Sequence, residues 1–217
     1  KSVIDLSQQD IDNEHLVDNL VMSMIEMDEK KFDKIISSSI IKHGFEYTFE
    51  NILFRFLEKA GMLWQTGGVY PAQEHFISQL IRQKLILAID SQNELRPNNK
   101  TFLLFLPENE YHELGLLYLN FLIRKQGHAV VYLGQNVPLV NLKNVIDSHK
   151  IDFLVTSIAS NLPEETIKEI VQELNSLYGN KQVLIGGHCF LENILSLAPN
   201  FTLFKSIPDF TEFLNTL

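Results

Sequence analysis

A histidine with carboxylates close by occurs in the segment 107–115, which reads PENEYHELG. His112 comes soon after a short apolar run, and an imidazole in such a place can ligate a transition metal. Glu110, two residues earlier, can accept the other ring N–H and raise the donor strength of the imidazole. The alternative is a surface histidine at a helix start, where Glu110 complements the helix dipole. Spacing alone leaves both interpretations open.

Small residues follow two later apolar runs, as Thr156-Ser157 and Gly186-Gly187. A small hydroxyl and a glycine pair let a bulky ligand approach the backbone, since a Cβ would obstruct it. Ordinary turn chemistry is the alternative for the glycines. The single cysteine, Cys189, is interpreted as a packing residue, because one thiol forms no internal disulfide.

The C-terminal half must position these residues. Short apolar runs alternate there with amphipathic stretches, which predicts a parallel, doubly wound, flavodoxin-like (Rossmann-like) α/β domain with five strands. In such sheets, ligands bind outside the carboxyl ends of the strands. The predicted strands are 102–106, 129–133, 153–156, 183–185 and 201–204. The predicted helices are near 111–126, 138–149, 163–178, 189–197 and 208–217.

The N-terminal half has a different period. Between about Asp10 and Asp90 the apolar residues recur at helical spacing, without a strand pattern. Pro71 suits the first position of the last helix. These features predict an all-α four-helix bundle. The breaks between helices fall near Asp28, at His43-Gly44 and at Thr66-Gly67-Gly68.

A polar, turn-rich stretch with the sequence SQNELRPNNK, at 91–100, separates the two halves. Such composition is typical of a linker between domains. The sequence therefore predicts a helical bundle at 1–92, a linker at 93–100 and an α/β domain at 101–217.

Composition narrows the classes of protein. The chain has 217 residues, 45% of them hydrophobic, which suits a globular protein with a sizeable core. No apolar run approaches the roughly 20 residues of a membrane helix, so a cytoplasmic protein is expected. Net charge is −9 with scattered lysines and arginines, so DNA binding would need a segment absent from this chain.

The motifs of the C-terminal half resemble a known signature. Methionine synthase, corrinoid carrier proteins and certain mutases share the cobalamin-binding pattern Asp-x-His-x-x-Gly, then Ser-x-Leu, then Gly-Gly. Two departures are Glu110 in place of the commoner Asp and Ala159 in place of Leu. The matching positions here are Glu110, His112, Gly115, Ser157, Gly186 and Gly187.

The resemblance implies a role for each of these positions. His112 would be the lower ligand of the cobalt in place of the cofactor's own dimethylbenzimidazole. Glu110 and Ser157 would form its hydrogen-bond relay. The displaced nucleotide tail would run into a slot lined by Gly115, Gly186 and Gly187.

A second resemblance lies in the bundle. Trp64, nine intervening residues and then Glu74-His75 are similar to the Trp-x9-Glu-His pattern of light-sensing, adenosylcobalamin-dependent regulators of the MerR family. This implies that the bundle caps the upper corrin face and that these residues contact the adenosyl group. A core aromatic is the alternative for Trp64, and an exposed first helical turn for Glu74-His75. Gln65 departs from the histidine that often follows the tryptophan.

Together, the resemblances imply the cobalamin-binding sensor region of a MerR-type transcriptional regulator rather than an enzyme. Adenosylcobalamin, and in some relatives light, would control homo-oligomerisation and so DNA binding by a missing N-terminal domain. A corrinoid carrier for methyl transfer is the first alternative. A phosphoacceptor receiver is the second, but Thr156-Ser157 occupies the third strand end, where a receiver needs Asp.

Overall fold

The computed structural model describes residues 3–92, 94–97, 99–187 and 197–217. The chain forms two compact units, Lys1–Lys84 and Leu85–Leu217. The division falls inside the last helix of the bundle, whereas the sequence analysis placed the domain end at residue 92. Among the described residues, no helix is long and apolar enough to cross a membrane.

The first unit is helical throughout, and its breaks fall where turn residues stand. Asp28 caps the second helix by accepting the N–H of Lys31, and Gly44 ends it at a φ of 88°. The third predicted helix contains a π-helical turn but continues without interruption. The elements are α1 (Val3–Glu26), α2 (Glu29–His43), α3 (Phe45–Thr48), the π turn (Phe49–Leu53), α4 (Phe54–Gln65) and α5 (Pro71–Asp90).

The core of the helical unit comes from the apolar stripe of each helix. Each of the four helical segments contributes buried residues, so the predicted four-helix bundle is confirmed. Representative core residues are Leu20, Met24, Phe32, Ile36, Phe49, Ile52, Phe56 and Ile81.

The second unit is an α/β domain with a five-stranded sheet in the order β2-β1-β3-β4-β5, and every neighbouring pair is parallel. This is the flavodoxin-like strand order, as predicted. The strands are β1 (Thr101–Pro107), β2 (Ala129–Val137), β3 (Phe153–Ser157), β4 (Gln182–Gly186) and β5 (Phe201–Leu203). The helices are α6 (Leu114–Lys125), α7 (Leu142–Ser148), α8 (Glu164–Tyr178) and α9 (Ile207–Asn215).

One helix of the prediction cannot be compared. The stretch 189–197 falls almost wholly in 188–196, which lies outside the described residues. The remaining apolar runs and amphipathic stretches of the α/β half each correspond to a strand or helix of the structure. β1 is an interior strand, between β2 and β3, and is buried from Phe102 to Pro107.

Candidate functional site

The site lies where the strand order of the sheet reverses direction. β1 pairs with β2 on one side and β3 on the other, so the chain leaves β1 and β3 at neighbouring positions on the carboxyl edge. Ligands of doubly wound sheets bind at this switch point. The loop after β1 carries Glu110 and His112, and the loop after β3 carries Ala159 and Ser160. The topology therefore joins two segments about 50 residues apart in sequence.

Glu110 is the centre of the site. Its side chain is 1% exposed, and its two carboxylate oxygens accept hydrogen bonds from both loops. One oxygen accepts the backbone N–H groups of Ala159 at 2.9 Å and Ser160 at 2.8 Å. The other accepts the backbone N–H of His112 at 2.9 Å, its ring Nδ1 at 2.7 Å and the Ser160 hydroxyl at 3.1 Å. A buried carboxylate needs this much pairing, because burying a charge is otherwise very unfavourable.

These contacts fix the charge of the carboxyl group. Burial alone would raise the pKa of Glu110, but the hydrogen bonds from His112 and from the Ser160 backbone outweigh it. The net effect lowers the pKa from 4.5 to about 2. Glu110 is therefore a carboxylate at neutral pH and accepts a hydrogen bond from the Nδ1–H group of His112.

His112 lies in the loop just before α6, and its side chain is 67% exposed. With Nδ1–H donating to Glu110, the lone pair of the neutral ring lies on the other nitrogen, Nε2. A carboxylate partner on one ring nitrogen sets the tautomer and strengthens the other as a metal donor.

The hydroxyl that reaches the pair belongs to Ser160. It donates to Glu110 and lies 3.2 Å from Nδ1 of His112. The sequence analysis assigned this relay to Ser157, which is the last residue of β3 and pairs with Gly186 of β4. In the described part of the chain, no hydrogen bond joins Ser157 to Glu110, and Ser160 makes the contact that was expected of Ser157. Loop residues such as Ser160 carry no sequence signal of their own beyond following a strand end.

Two of the three glycines that the resemblance assigns to the tail slot contact protein atoms. Gly187 has a φ of 118°, and a Cβ there would lie 2.0 Å from the carbonyl oxygen of Ile158. A Cβ on Gly186 would lie 2.2 Å from the ring of Phe204. The small size of both residues is thus required by packing within the α/β domain.

Gly115 differs from that pair. It lies in the first turn of α6, where a Cβ would have no neighbour within 4 Å. Glycine weakens a helix by roughly 0.5–1 kcal/mol relative to alanine, so open space beside a helical glycine has no explanation in the fold. This space next to the His112 loop is where the resemblance places part of the nucleotide tail.

The residues of the second resemblance lie on the helical unit. Trp64 is the second-last residue of α4 and is 55% exposed, so it is not a core aromatic. Glu74 and His75 lie in the first turns of α5, with 3.5 Å between a carboxylate oxygen and Nδ1. The side chain of His75 is exposed. All three side chains therefore offer surface to a ligand.

The donor set suits a metal that arrives inside a macrocycle. Among the described residues, no group of three or more His, Cys, Asp or Glu side chains is placed to hold a bare ion. A single imidazole paired with a carboxylate could instead supply one ligand to a metal whose other ligands come from a bound macrocycle. The buried hydroxyl of Thr156, one residue before the end of β3, also has no hydrogen-bond partner in the described residues.

Two family models match this chain. Residues 16–88 match a family described as a B12 binding domain, and residues 101–199 match a second family with the same description. The first match covers most of the helical unit, and the second covers the sheet from β1 to the end of the segment before β5.

Curated relatives and a solved structure are similar to the chain. The HTH-type transcriptional repressor CarH of Myxococcus xanthus is 30% identical over 140 residues, which are 64% of this chain and 46% of the repressor. The HTH-type transcriptional repressor CarA of the same organism is 28% identical over 116 residues, which are 54% of this chain and 40% of that protein. The chain thus spans less than half the length of these relatives.

The monomethylamine corrinoid protein of Methanosarcina barkeri has a similar fold. Its structure aligns with a TM-score of 0.73 over 94% of this chain and 100% of that chain, at 13% sequence identity. The likeness confirms the architecture of a helical bundle followed by an α/β domain.

Proposed function

We propose that this chain, whose two halves match families of B12 binding domains, is the cobalamin-binding sensor region of a MerR-type transcriptional regulator. The observation that carries the proposal is the Glu110–His112 pair at the switch point of the sheet. A buried, ionised carboxylate holds the imidazole by Nδ1 and leaves Nε2 as the donor for cobalt. The cobalt supplies a Lewis-acid centre for that donor when cobalamin is bound.

Each residue of the site has a task in this proposal. His112 would ligate the cobalt, and Glu110 with Ser160 would set the tautomer and orientation of its ring. Gly115 leaves room for the nucleotide tail beside α6. On the helical unit, Trp64 and the Glu74-His75 pair contact the adenosyl group, as the resemblance implies.

The regulatory part of the proposal is supported by the relatives. CarH and CarA carry the words transcriptional repressor in their names, and each is more than twice as long as the matched part. We infer that cobalamin binding shifts the self-association of this chain and that DNA is bound by a segment outside it. A ligand shifts such an equilibrium only by binding one assembly state more tightly. Adenosylcobalamin is the proposed form, and illumination the proposed release signal.

Retention of colour tests the proposal. We expect the wild-type chain, mixed with adenosylcobalamin in the dark and washed, to retain it. His112→Ala should bind it at least about 10-fold more weakly, since loss of a mere outer-shell partner of a metal ligand already costs about 10–100-fold. His149→Ala is the matched control, because His149 is an exposed histidine of the same domain that follows α7, away from the carboxyl edge. Size-exclusion chromatography with light scattering then compares apo, dark and illuminated protein.

The outcomes separate the hypotheses. Retention that depends on His112 but not on His149, with a larger particle in the dark, supports the sensor. A chain that retains methylcobalamin in preference to adenosylcobalamin and does not change size would instead be a corrinoid carrier. Equal retention by the wild type and His112→Ala contradicts the assignment of the lower ligand.

A further inference from the structure

Strand β2 becomes irregular beside the loop that carries His112. Its pairing with β1 shifts register twice between Tyr132 and Val137, so β2 has extra residues there. Gly134 and Asn136 adopt left-handed conformations in this stretch, with φ values of 78° and 57°. Bulges of this kind occur next to functional sites, where they re-aim a side chain.

Asn136 uses its bulged position to hold the loop after β1. Its side-chain oxygen Oδ1 accepts the backbone N–H of Asn109 at 2.9 Å. Its own backbone N–H donates to the carbonyl oxygen of Glu110 at 3.1 Å. Two successive residues of the loop are therefore fastened to one residue of β2.

The fastened residues lead directly to the imidazole. The backbone of Glu110 makes two hydrogen bonds, each 3.1 Å long: its carbonyl oxygen accepts the N–H of Asn136, and its N–H donates to the carbonyl oxygen of Pro107. The Glu110 carboxylate in turn accepts both the backbone N–H and Nδ1 of His112. The direction of the imidazole thus depends on where Asn136 places the Glu110 backbone.

We propose that Asn136 is a positioning residue for the cobalt ligand: its Oδ1 and its left-handed backbone fix the loop that aims His112. This inference rests on the proposed function, because the aim matters only if His112 ligates cobalt. Asparagine suits both requirements, since it adopts the left-handed region more readily than most residues and carries an acceptor. Glycine would satisfy only the first.

A matched pair of variants isolates the acceptor. Asn136→Gly and Asn109→Gly each replace a left-handed asparagine, because Asn109 has a φ of 67°. Both variants raise the entropy of the unfolded chain to a similar extent. Only Asn136→Gly removes Oδ1, whereas Asn109 takes part through its backbone N–H, which glycine keeps. Asn136→Asp retains an acceptor oxygen and should rescue.

The first readout needs no cofactor. In the apo chain, Asn136→Gly should speed amide hydrogen exchange at residue 109 roughly 5-fold, the equivalent of one ordinary hydrogen bond. The second readout uses adenosylcobalamin in the dark, whose visible absorption distinguishes a bound lower nitrogen ligand from none. There, Asn136→Gly should lower affinity by up to about 10-fold and reduce the nitrogen-coordinated fraction. Asn109→Gly and Asn136→Asp should resemble the wild type in both readouts.

Different results contradict the proposed function and the role of Asn136. A wild-type chain that retains no adenosylcobalamin contradicts the proposed function and with it any role of Asn136 toward cobalt. A wild-type chain that retains it, while Asn136→Gly and Asn109→Gly give the same exchange rate and the same spectrum, overturns the role of Asn136 alone.

Discussion

At the scale of single residues, Glu110 shows how pairing overrides burial. Burial disfavours the charged form, yet hydrogen bonds from His112 and the Ser160 backbone bring the pKa down to about 2. A carboxyl group whose pKa is lower in the folded state than in the unfolded state stabilises the fold at pH values above the unfolded pKa, here 4.5. That stabilisation is lost as the pH falls toward the folded pKa of about 2. At neutral pH the group is therefore an acceptor for His112 and also a source of stability.

His128 is a buried histidine with the opposite surroundings. The backbone N–H of Lys100 donates to Nδ1 at 3.0 Å, and the guanidinium of Arg96 lies 2.9 Å from Nε2. Burial first, and then the positive charges of Arg96 and Lys100, lower the pKa of His128 from 6.5 to about 4. The ring is neutral in the folded domain at physiological pH.

A pH dependence follows from this histidine. Between pH 6.5 and about 4, His128 is protonated in the unfolded chain but neutral in the folded chain. Its contribution to the free energy of unfolding is therefore complete above pH 6.5 and decreases as the pH is lowered toward 4. One proton gives a slope of at most about 1.4 kcal/mol per pH unit. An NMR titration of the His128 ring in the folded chain should show a midpoint near 4. A midpoint near the ordinary value would contradict the assignment.

The sequence predicted part of the residue-scale site. The sequence analysis gave a Glu110–His112 hydrogen bond as one of two interpretations, because the two residues are close in sequence after a predicted strand. Ser160 was missed, since its contact with Glu110 depends on how the loop after β3 folds back across the sheet edge. The loops after β1 and β3 are neighbours because of the strand order, which neither segment predicts by itself.

At the scale of elements, the glycines divide by what surrounds them. Gly187 is required by a left-handed φ and by the backbone of Ile158. Gly115 lies in α6 beside open space. The sequence analysis gave both the same role, because residue type does not reveal whether a neighbour is protein or ligand.

Alanine substitutions should therefore have opposite effects. In the apo chain, Gly115→Ala should raise the free energy of unfolding by about 0.5 kcal/mol through helix propensity. Gly187→Ala should lower it by about 1–3 kcal/mol through backbone strain. Urea denaturation measures both. If the space beside Gly115 receives the nucleotide tail, Gly115→Ala should also weaken adenosylcobalamin binding despite the gain in stability. Unchanged binding would exclude Gly115 from the slot.

The elements themselves were largely predictable. Periods of 3.6 and 2 residues separate the helical and α/β halves, and glycine, proline and capping residues mark the ends. β2 ends at Val137, whereas its apolar run predicted an end at residue 133. The difference arises because bulges at Gly134 and Asn136 continue the pairing beyond the apolar residues. A bulge depends on the partner strand and so escapes a pattern read along one strand.

At the scale of the whole molecule, two compact units carry the two B12 binding domain matches. In the proposal, each unit has its own role: the α/β domain provides the cobalt ligand His112, and the helical unit provides Trp64 and the Glu74-His75 pair. The sequence conveyed this organisation through the change of period and through two motifs, one in each half. The chain spans less than half the length of its curated relatives, so its regulatory outcome stays a proposal.

Electron paramagnetic resonance of the cobalt(II) form of the bound cobalamin, in protein labelled with nitrogen-15 histidine, tests the central claim most directly. An axial nitrogen splits the cobalt lines, and the multiplicity depends on the nitrogen isotope. If His112 ligates the cobalt, labelling the protein changes the splitting, and His112→Ala removes that change. If the splitting is the same in labelled and unlabelled protein, the cobalt is still bound by the cofactor's own dimethylbenzimidazole, which would contradict the account.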